Sequence, residues 1–181
     1  MWILKKFEYI CLLHIYQTNF NFMKKITYLL MLLFFSTLGF AQIATIGSGT
    51  TSTSDTGSDP IDGYYGSFRY QVVYTAAELT AAGITAGNNI NALGFSINED
   101  YGGGNLNGYT IKMGYTTATN SAAHISASSI TVKAPFSYNP TATSVGDFDM
   151  ITFDTPFFWD GSGNLFIDIC SSGPNSYTSP Y

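Results

Sequence analysis

Basic residues are scarce in this 181-residue sequence, and the few present are unevenly placed. Four of the seven lie before position 26, and only Arg69, Lys112 and Lys133 follow. Eleven of the twelve acidic residues lie beyond position 41, so residues 42–181 carry a formal charge of −8. Three cations cannot neutralise a row of phosphates or hold the chain to an anionic membrane surface. The composition therefore argues against nucleic acid as a partner and favours neutral or cationic ligands.

Cysteine and histidine are also rare, with two residues of each. Beyond the leader described below only His124 and Cys170 are left, too few to assemble a nucleophile, a base and an orienting group or the ligand set of a zinc ion. We therefore expect no catalytic activity. Cys170 ends the apolar run 165–170, and two interpretations stay open: a buried small side chain, or one half of a disulfide whose partner lies elsewhere.

No apolar run approaches the ~20 residues that a membrane-spanning helix needs. The run at 26–35 follows Lys24 and Lys25 and precedes small residues that end in Ala41, which is the pattern of a secretory signal peptide. We expect residues 23–41 to be that signal, cleaved after Ala41, and the protein to be secreted or held at the cell surface. Residues 1–22 are interpreted as an upstream extension from a start codon assigned too early. A genuine long n-region or a second hydrophobic anchor is the alternative.

From position 67 onward, apolar residues recur at every second position in short segments, which is the period of a half-buried strand. The segments are 68–74, 93–97, 109–115, 130–132, 151–153 and 165–169. Turn residues separate them, among them Asn88-Asn89 and Asn139-Pro140. The pattern predicts an all-β fold for residues 67–181: two antiparallel sheets in a jelly-roll-like sandwich. Residues 42–66, rich in Gly, Ser, Thr and Asp, are predicted to form an extended lead-in segment that contributes little to the core.

One short helix is predicted between the first two strands. Thr75 and Glu78 have the spacing of a capping box, in which each side chain binds the backbone amide of the other residue. Gly83 can end the helix in a left-handed conformation. The helix is therefore a crossover turn and not a layer of the fold.

Several sequence blocks, in order and spacing, resemble a β-sandwich module of large secreted proteins of Bacteroidetes, especially flavobacteria. The blocks are Tyr74–Gly83, Ile90–Phe95, Gly108–Thr119, Thr155–Gly161 and Asn164–Cys170. The resemblance implies a non-catalytic module near the N-terminus of a multidomain, adhesin-like surface protein that ends in a type IX secretion signal. Since no such signal follows residue 170, we expect this chain to be a fragment of a longer protein.

Oxygen-bearing side chains suggest a calcium site. Asp55, Asp59 and Asp62 lie in the lead-in segment, and Glu99 and Asp100 lie in a later loop. Carboxylates are the ligands that calcium prefers, and extracellular modules often bind it. The sequence has no EF-hand pattern, and aspartates in turns commonly cap backbone amides instead. Calcium is thus a possible ligand, and no other cofactor is expected.

Aromatic residues beside the predicted loops suggest a second kind of site. Tyr64, Tyr65, Tyr101 and Trp159 are placed where a ring could offer a flat face to the C–H groups of a sugar. The alternative is that these rings close the ends of the sandwich, and Trp159 before the turn at Asp160 is the strongest case for it.

Three hypotheses for the function follow from these features. The first is a binding or adhesion module that meets a glycan, a protein or a neighbouring domain at the cell surface. The second is an accessory domain, such as a carbohydrate-binding one, of a secreted hydrolase whose catalytic part lies outside this chain. The third is a structural spacer.

Overall fold

A computed structural model describes residues 24–28, 42–47, 59–63, 65–96, 101, 104–141 and 146–173. The chain divides into two units, Met1–Ile43 and Ala44–Tyr181. In the first, residues 24–28 are helical. Among the described residues, no helix has the length and apolar character to span a membrane. Everything that follows concerns the second unit.

Six strands form the two antiparallel sheets. The first sheet has the order β1-β6-β3-β4 and the second pairs β2 with β5. The predicted two-sheet sandwich is confirmed. The strands are β1 (Phe68–Tyr74), β2 (Asn88–Ser96), β3 (Leu106–Thr116), β4 (Ile130–Tyr138), β5 (Phe148–Trp159) and β6 (Asn164–Ser171).

The core lies between the sheets, where alternate side chains of each strand point inward. Tyr109, Ile111 and Ile169 are fully buried, and Phe153 of β5 is 8% exposed. The period-two pattern therefore assigned the inner faces of β3, β5 and β6 correctly. Edge-to-face ring pairs reinforce the packing, as between Tyr109 and Phe136 with centroids 5.8 Å apart.

The predicted crossover helix is confirmed as α1 (Ala76–Ala81). The Glu78 amide donates to the Thr75 hydroxyl at 3.2 Å, and the Thr75 amide donates to the Glu78 carboxylate at 2.8 Å. Gly83 follows with φ of +89°, a conformation open to glycine at little steric cost. The helix buries only Leu79 and carries the chain from one sheet to the other.

The sheets meet along one side, where β5 approaches β4. Between its pairings with Ile90 and Ala92 of β2, strand β5 contains four residues, 153–156, opposite the single residue Asn91. Asp154 in this bulge accepts hydrogen bonds from the Lys133 ammonium at 2.7 Å and from the Ala134 amide at 2.9 Å. The bulge therefore bends β5 and occupies the exposed edge of β4.

The outer face of the first sheet is covered by residues 117–129, which connect β3 to β4. Phe166 points to this face and is 1% exposed. A Cβ at Gly114 would collide with the Phe166 ring and with the Ser128 carbonyl. Gln71, 8% exposed, donates to the Ile125 carbonyl at 3.2 Å and accepts from the Ile125 amide at 2.7 Å. The side-chain amide of Gln71 thus makes the same two hydrogen bonds to the backbone of Ile125 that a neighbouring strand would make.

One expectation from the sequence was wrong. Asn88 and Asn89 do not form a turn but begin β2, where they pair with Trp159 and Phe158. The turn lies just before them and includes Gly87 with φ of +80°. In the lead-in segment, Ile46 and Ile61 are partly buried and pack against the core.

Candidate functional site

Residues 59–63 of the lead-in segment are held against aromatic side chains of the sandwich. The Tyr109 hydroxyl, in the core, donates to the Pro60 carbonyl at 2.7 Å. A Cβ on the buried Gly63 would lie 2.5 Å from the Tyr101 hydroxyl oxygen, so this position leaves little room for a side chain unless Tyr101 moves. The lead-in segment and Tyr101, both singled out from the sequence, therefore meet. We call Asp59–Gly63, Tyr65 and Tyr101 the lead-in site.

Tyr101 supports this site from one side. It is half-buried, and its hydroxyl donates to the Gly104 carbonyl at 2.9 Å. Burial, and to a smaller degree the Asp62 carboxylate, raise the pKa of the Tyr101 hydroxyl above its ordinary value. Tyr101 therefore stays a neutral hydrogen-bond donor, and Asp62 is close enough for its charge to act on this ring.

The other aromatic candidates lie in different environments. Tyr65 is 59% exposed, so much of its ring is open to a ligand. Trp159 is fully buried, and its indole N–H donates to the Gly163 carbonyl at 2.9 Å. Trp159 therefore belongs to the core and has no face for a sugar, as the alternative interpretation held. Tyr64 lies outside the described residues.

Two of the five carboxylates proposed for calcium are placed at the lead-in site. Asp59 Oδ1 is shut off from solvent and receives no hydrogen bond, and burial together with the Asp59 charge raises the pKa of the neighbouring Tyr70. A buried carboxylate oxygen without a partner is costly, and a cation would remove that cost. Asp55, Glu99 and Asp100 lie outside the described residues, and the described part of the chain contains no group of three or more His, Cys, Asp or Glu residues that could hold a metal.

Calcium binding at Asp59 predicts a rise in the melting temperature. An ion that binds only the folded state at 100 times its Kd adds about 2.7 kcal/mol to the free energy of unfolding. We expect millimolar calcium to raise the melting temperature of the wild type and of the exposed-site control Asp147→Asn, but not that of Asp59→Asn. Identical melting curves of the wild type in calcium and in EDTA would show that this protein does not bind calcium at the lead-in site.

His124 is engaged by the strand beneath it. Its Nδ1 lies 3.1 Å from Oε1 of Gln71, the same oxygen that accepts from the Ile125 amide. Because Oε1 is only an acceptor, this contact assigns a proton to Nδ1. The histidine thus helps to fix the connection 117–129 on the first sheet.

Cys170 lies on the outer face of β6, beside an ion pair. Asp168 accepts hydrogen bonds from Nε and Nη2 of Arg69 at 2.9 and 2.6 Å, and Cys170 Sγ lies 3.7 Å from the same carboxylate. Burial and the Asp168 charge raise the pKa of the Cys170 thiol, which leaves little of the reactive thiolate at neutral pH. Cys170 is half-buried outside the core and forms no disulfide within the described residues.

Sequence reasoning missed the ion pair between Arg69 and Asp168 on this outer face. Arg69 and Asp168 are 99 positions apart, and their pairing depends on β1 lying beside β6. A signal was nevertheless present, because Asp168 interrupts the apolar run 165–170. A carboxylate in such a run needs a partner, and residues 42–181 contain only three basic residues.

Comparisons with models of protein families, with curated proteins and with solved structures found no match for this chain. Its function is therefore argued from its own residues.

Proposed function

We propose that this chain is a non-catalytic binding module of a secreted or surface-attached bacterial protein, and that its ligand contacts the lead-in site. The observation that carries the proposal is the meeting of residues 59–63 with Tyr101 at one place on the sandwich. The site combines the Asp62 carboxylate, the neutral Tyr101 hydroxyl and, two positions after Gly63 in the chain, the exposed ring of Tyr65. Ligand sites commonly combine a flat apolar surface with a few such polar groups.

The chemistry of the other reactive side chains supports a binding role. The Cys170 thiol is held protonated, His124 is bound to Gln71, and the Asp168 carboxylate is bound to Arg69. A nucleophile requires an adjacent base that can take its proton. His124 and Asp168 instead hold separate segments of the fold together, and the Cys170 thiol contacts Asp168 of its own strand.

The charge and the rings indicate the class of ligand. With a formal charge of −8 on residues 42–181, the exported part repels polyanions at low ionic strength. The exposed ring of Tyr65 can stack on the apolar face of a neutral sugar. We propose a neutral glycan of the cell surface as the ligand.

Binding to immobilised glycans over a series of salt concentrations tests this function. We expect affinity for a neutral glycan that changes little between about 50 and 500 mM salt, since ionic screening acts on charged pairs. Tyr65→Ala should weaken binding about tenfold, within the 1–3 kcal/mol typical of removing a good contact. Phe158→Ala should leave it unchanged, although Phe158 is similarly exposed, at 56%.

Two outcomes would contradict the proposal. Tight binding to heparin or DNA that weakens with salt would overturn the charge argument. Turnover of peptides, esters or glycans that His124→Ala abolishes would show that the chain is an enzyme.

A further inference from the structure

Strand β2 forms an open edge of the smaller sheet. This sheet contains only β2 and β5, and within the described ranges no strand pairs with the other edge of β2. The far side of β5 is occupied, because Asp154 binds Lys133 and the Ala134 amide of β4. A nine-residue edge presents a row of backbone donors and acceptors to any strand that reaches it.

Strand β2 lacks the charged and proline residues that usually protect an edge strand. Natural edge strands carry charged residues, lysine above all, or proline, which prevent pairing with another chain. Strand β2 contains no Asp, Glu, Lys, Arg or Pro, whereas each of the other five strands contains at least one charged residue.

The outer face beside this edge is apolar. Phe148 and Met150 of β5 are 44% and 49% exposed, and they pair directly with Ser96 and Gly94 of β2. The Met150 sulfur lies over Gly94, where a Cβ would be 2.5 Å from it. A strand added next to β2 would extend the sheet past these two side chains and cover part of them.

We infer that β2 pairs with β2 of a second copy of this chain, antiparallel and about a two-fold axis, to form a continuous sheet in the order β5-β2-β2-β5. This inference does not rest on the proposed function. An antiparallel strand is its own complement under two-fold symmetry, so one surface serves both copies. Charge favours this strand over the rest of the surface, because two copies with a charge of −8 each repel one another while β2 itself is uncharged.

The size of the contact sets the strength of the dimer. A single pair of nine-residue edges with two flanking apolar side chains buries less than the ~1,200 Å² of a stable interface. The dimer should therefore be weak and reversible. Since the pairing strands carry no charge, salt should screen the repulsion between the two copies without weakening the contact itself.

Sedimentation velocity of the exported protein over a concentration series tests the inference. We expect a monomer–dimer equilibrium with a micromolar dissociation constant that falls as salt is raised. Ala92→Lys, which places a charge on the edge strand, should raise the dissociation constant at least tenfold. Thr152→Lys is the matched control: Thr152 pairs with Ala92 on the same face but one strand away from the edge, and its variant should dimerise within about twofold of the wild type.

Circular dichroism establishes that each variant is folded, and Ser96→Lys, at an exposed edge position, replaces Ala92→Lys if that variant unfolds. A wild-type protein that stays monomeric at millimolar concentration would overturn the inference. So would a dimer that both lysine variants dissociate equally, because its contact would then lie on the outer face and not at the β2 edge. A dimer that dissociates as salt is raised would show a charged interface and overturn it as well.

Discussion

Replacing Trp159 by alanine should lower the free energy of unfolding by about 3–5 kcal/mol. The side chain is fully buried in the core, and its indole N–H donates to the Gly163 carbonyl. Alanine would leave a large cavity and remove the only hydrogen bond of this side chain to the turn before β6. Urea denaturation followed by circular dichroism measures the change.

Phe158→Ala is the matched control, because Phe158 is the adjacent residue and its side chain is 56% exposed. A surface substitution of this kind typically changes stability by no more than about 0.5 kcal/mol. The difference between the two neighbours isolates the effect of burial. A small loss for Trp159→Ala, or equal losses for both variants, would mean that the inner face of β5 has been assigned wrongly.

The fold was readable from the sequence where one face of a strand is buried and the other is not. The period of two in β3 and β6 placed Ile111 and Ile169 in the core, and the Thr75–Glu78 spacing gave the helix that the structure contains. The start of β2 was not readable. Asparagine is common in turns, yet Asn88 and Asn89 pair with residues about 70 positions later, and only tertiary structure provides those partners.

The candidate site was readable in part. The sequence identified acidic and aromatic residues in two separate stretches, and the structure brings Asp59–Gly63 against Tyr101. It did not indicate that Tyr109, a core residue, would fix Pro60 through its hydroxyl. Such a contact depends on how far a buried side chain reaches past the end of the sheet, which a hydropathy pattern does not encode.

The open edge of β2 and the lead-in site differ in what they require of a partner. A ligand at the lead-in site meets side chains such as Tyr65, whereas a strand at β2 meets mainly backbone groups. Tyr65→Ala should therefore weaken glycan binding and leave dimerisation unchanged. Ala92→Lys should weaken dimerisation and leave glycan binding unchanged. The two proposals can fail independently.

The Arg69–Asp168 pair should respond unequally to the loss of either partner. The side chain of Arg69 is 50% exposed and that of Asp168 only 5%. Arg69→Met removes the charged partner of a largely buried carboxylate, and we expect a loss of about 3 kcal/mol at pH 7, at the low end for a broken buried pair because Arg69 itself is half-exposed. Asp168→Asn leaves a guanidinium that water can solvate, and should cost only about 1 kcal/mol.

The dependence on pH separates this explanation from a simple loss of packing. Burial alone would raise the pKa of Asp168, but the hydrogen bonds and charge of Arg69, together with hydrogen bonds from Gln71 and Cys170, hold it below its ordinary value. A carboxyl whose pKa is lowered by folding stabilises the protein above its unfolded-state pKa of about 3.9, and this contribution is lost as the pH falls through the lower folded value. Arg69→Met removes the largest of the contributions that oppose burial, so Asp168 should take up its proton at a higher pH, and the difference from the wild type should shrink as the solution is acidified from pH 7. Denaturation of the wild type and both variants between pH 4 and 7 measures this. A deficit for Arg69→Met that stays constant across that range, or one no larger than that of Asp168→Asn, would show that the guanidinium contributes packing and not charge.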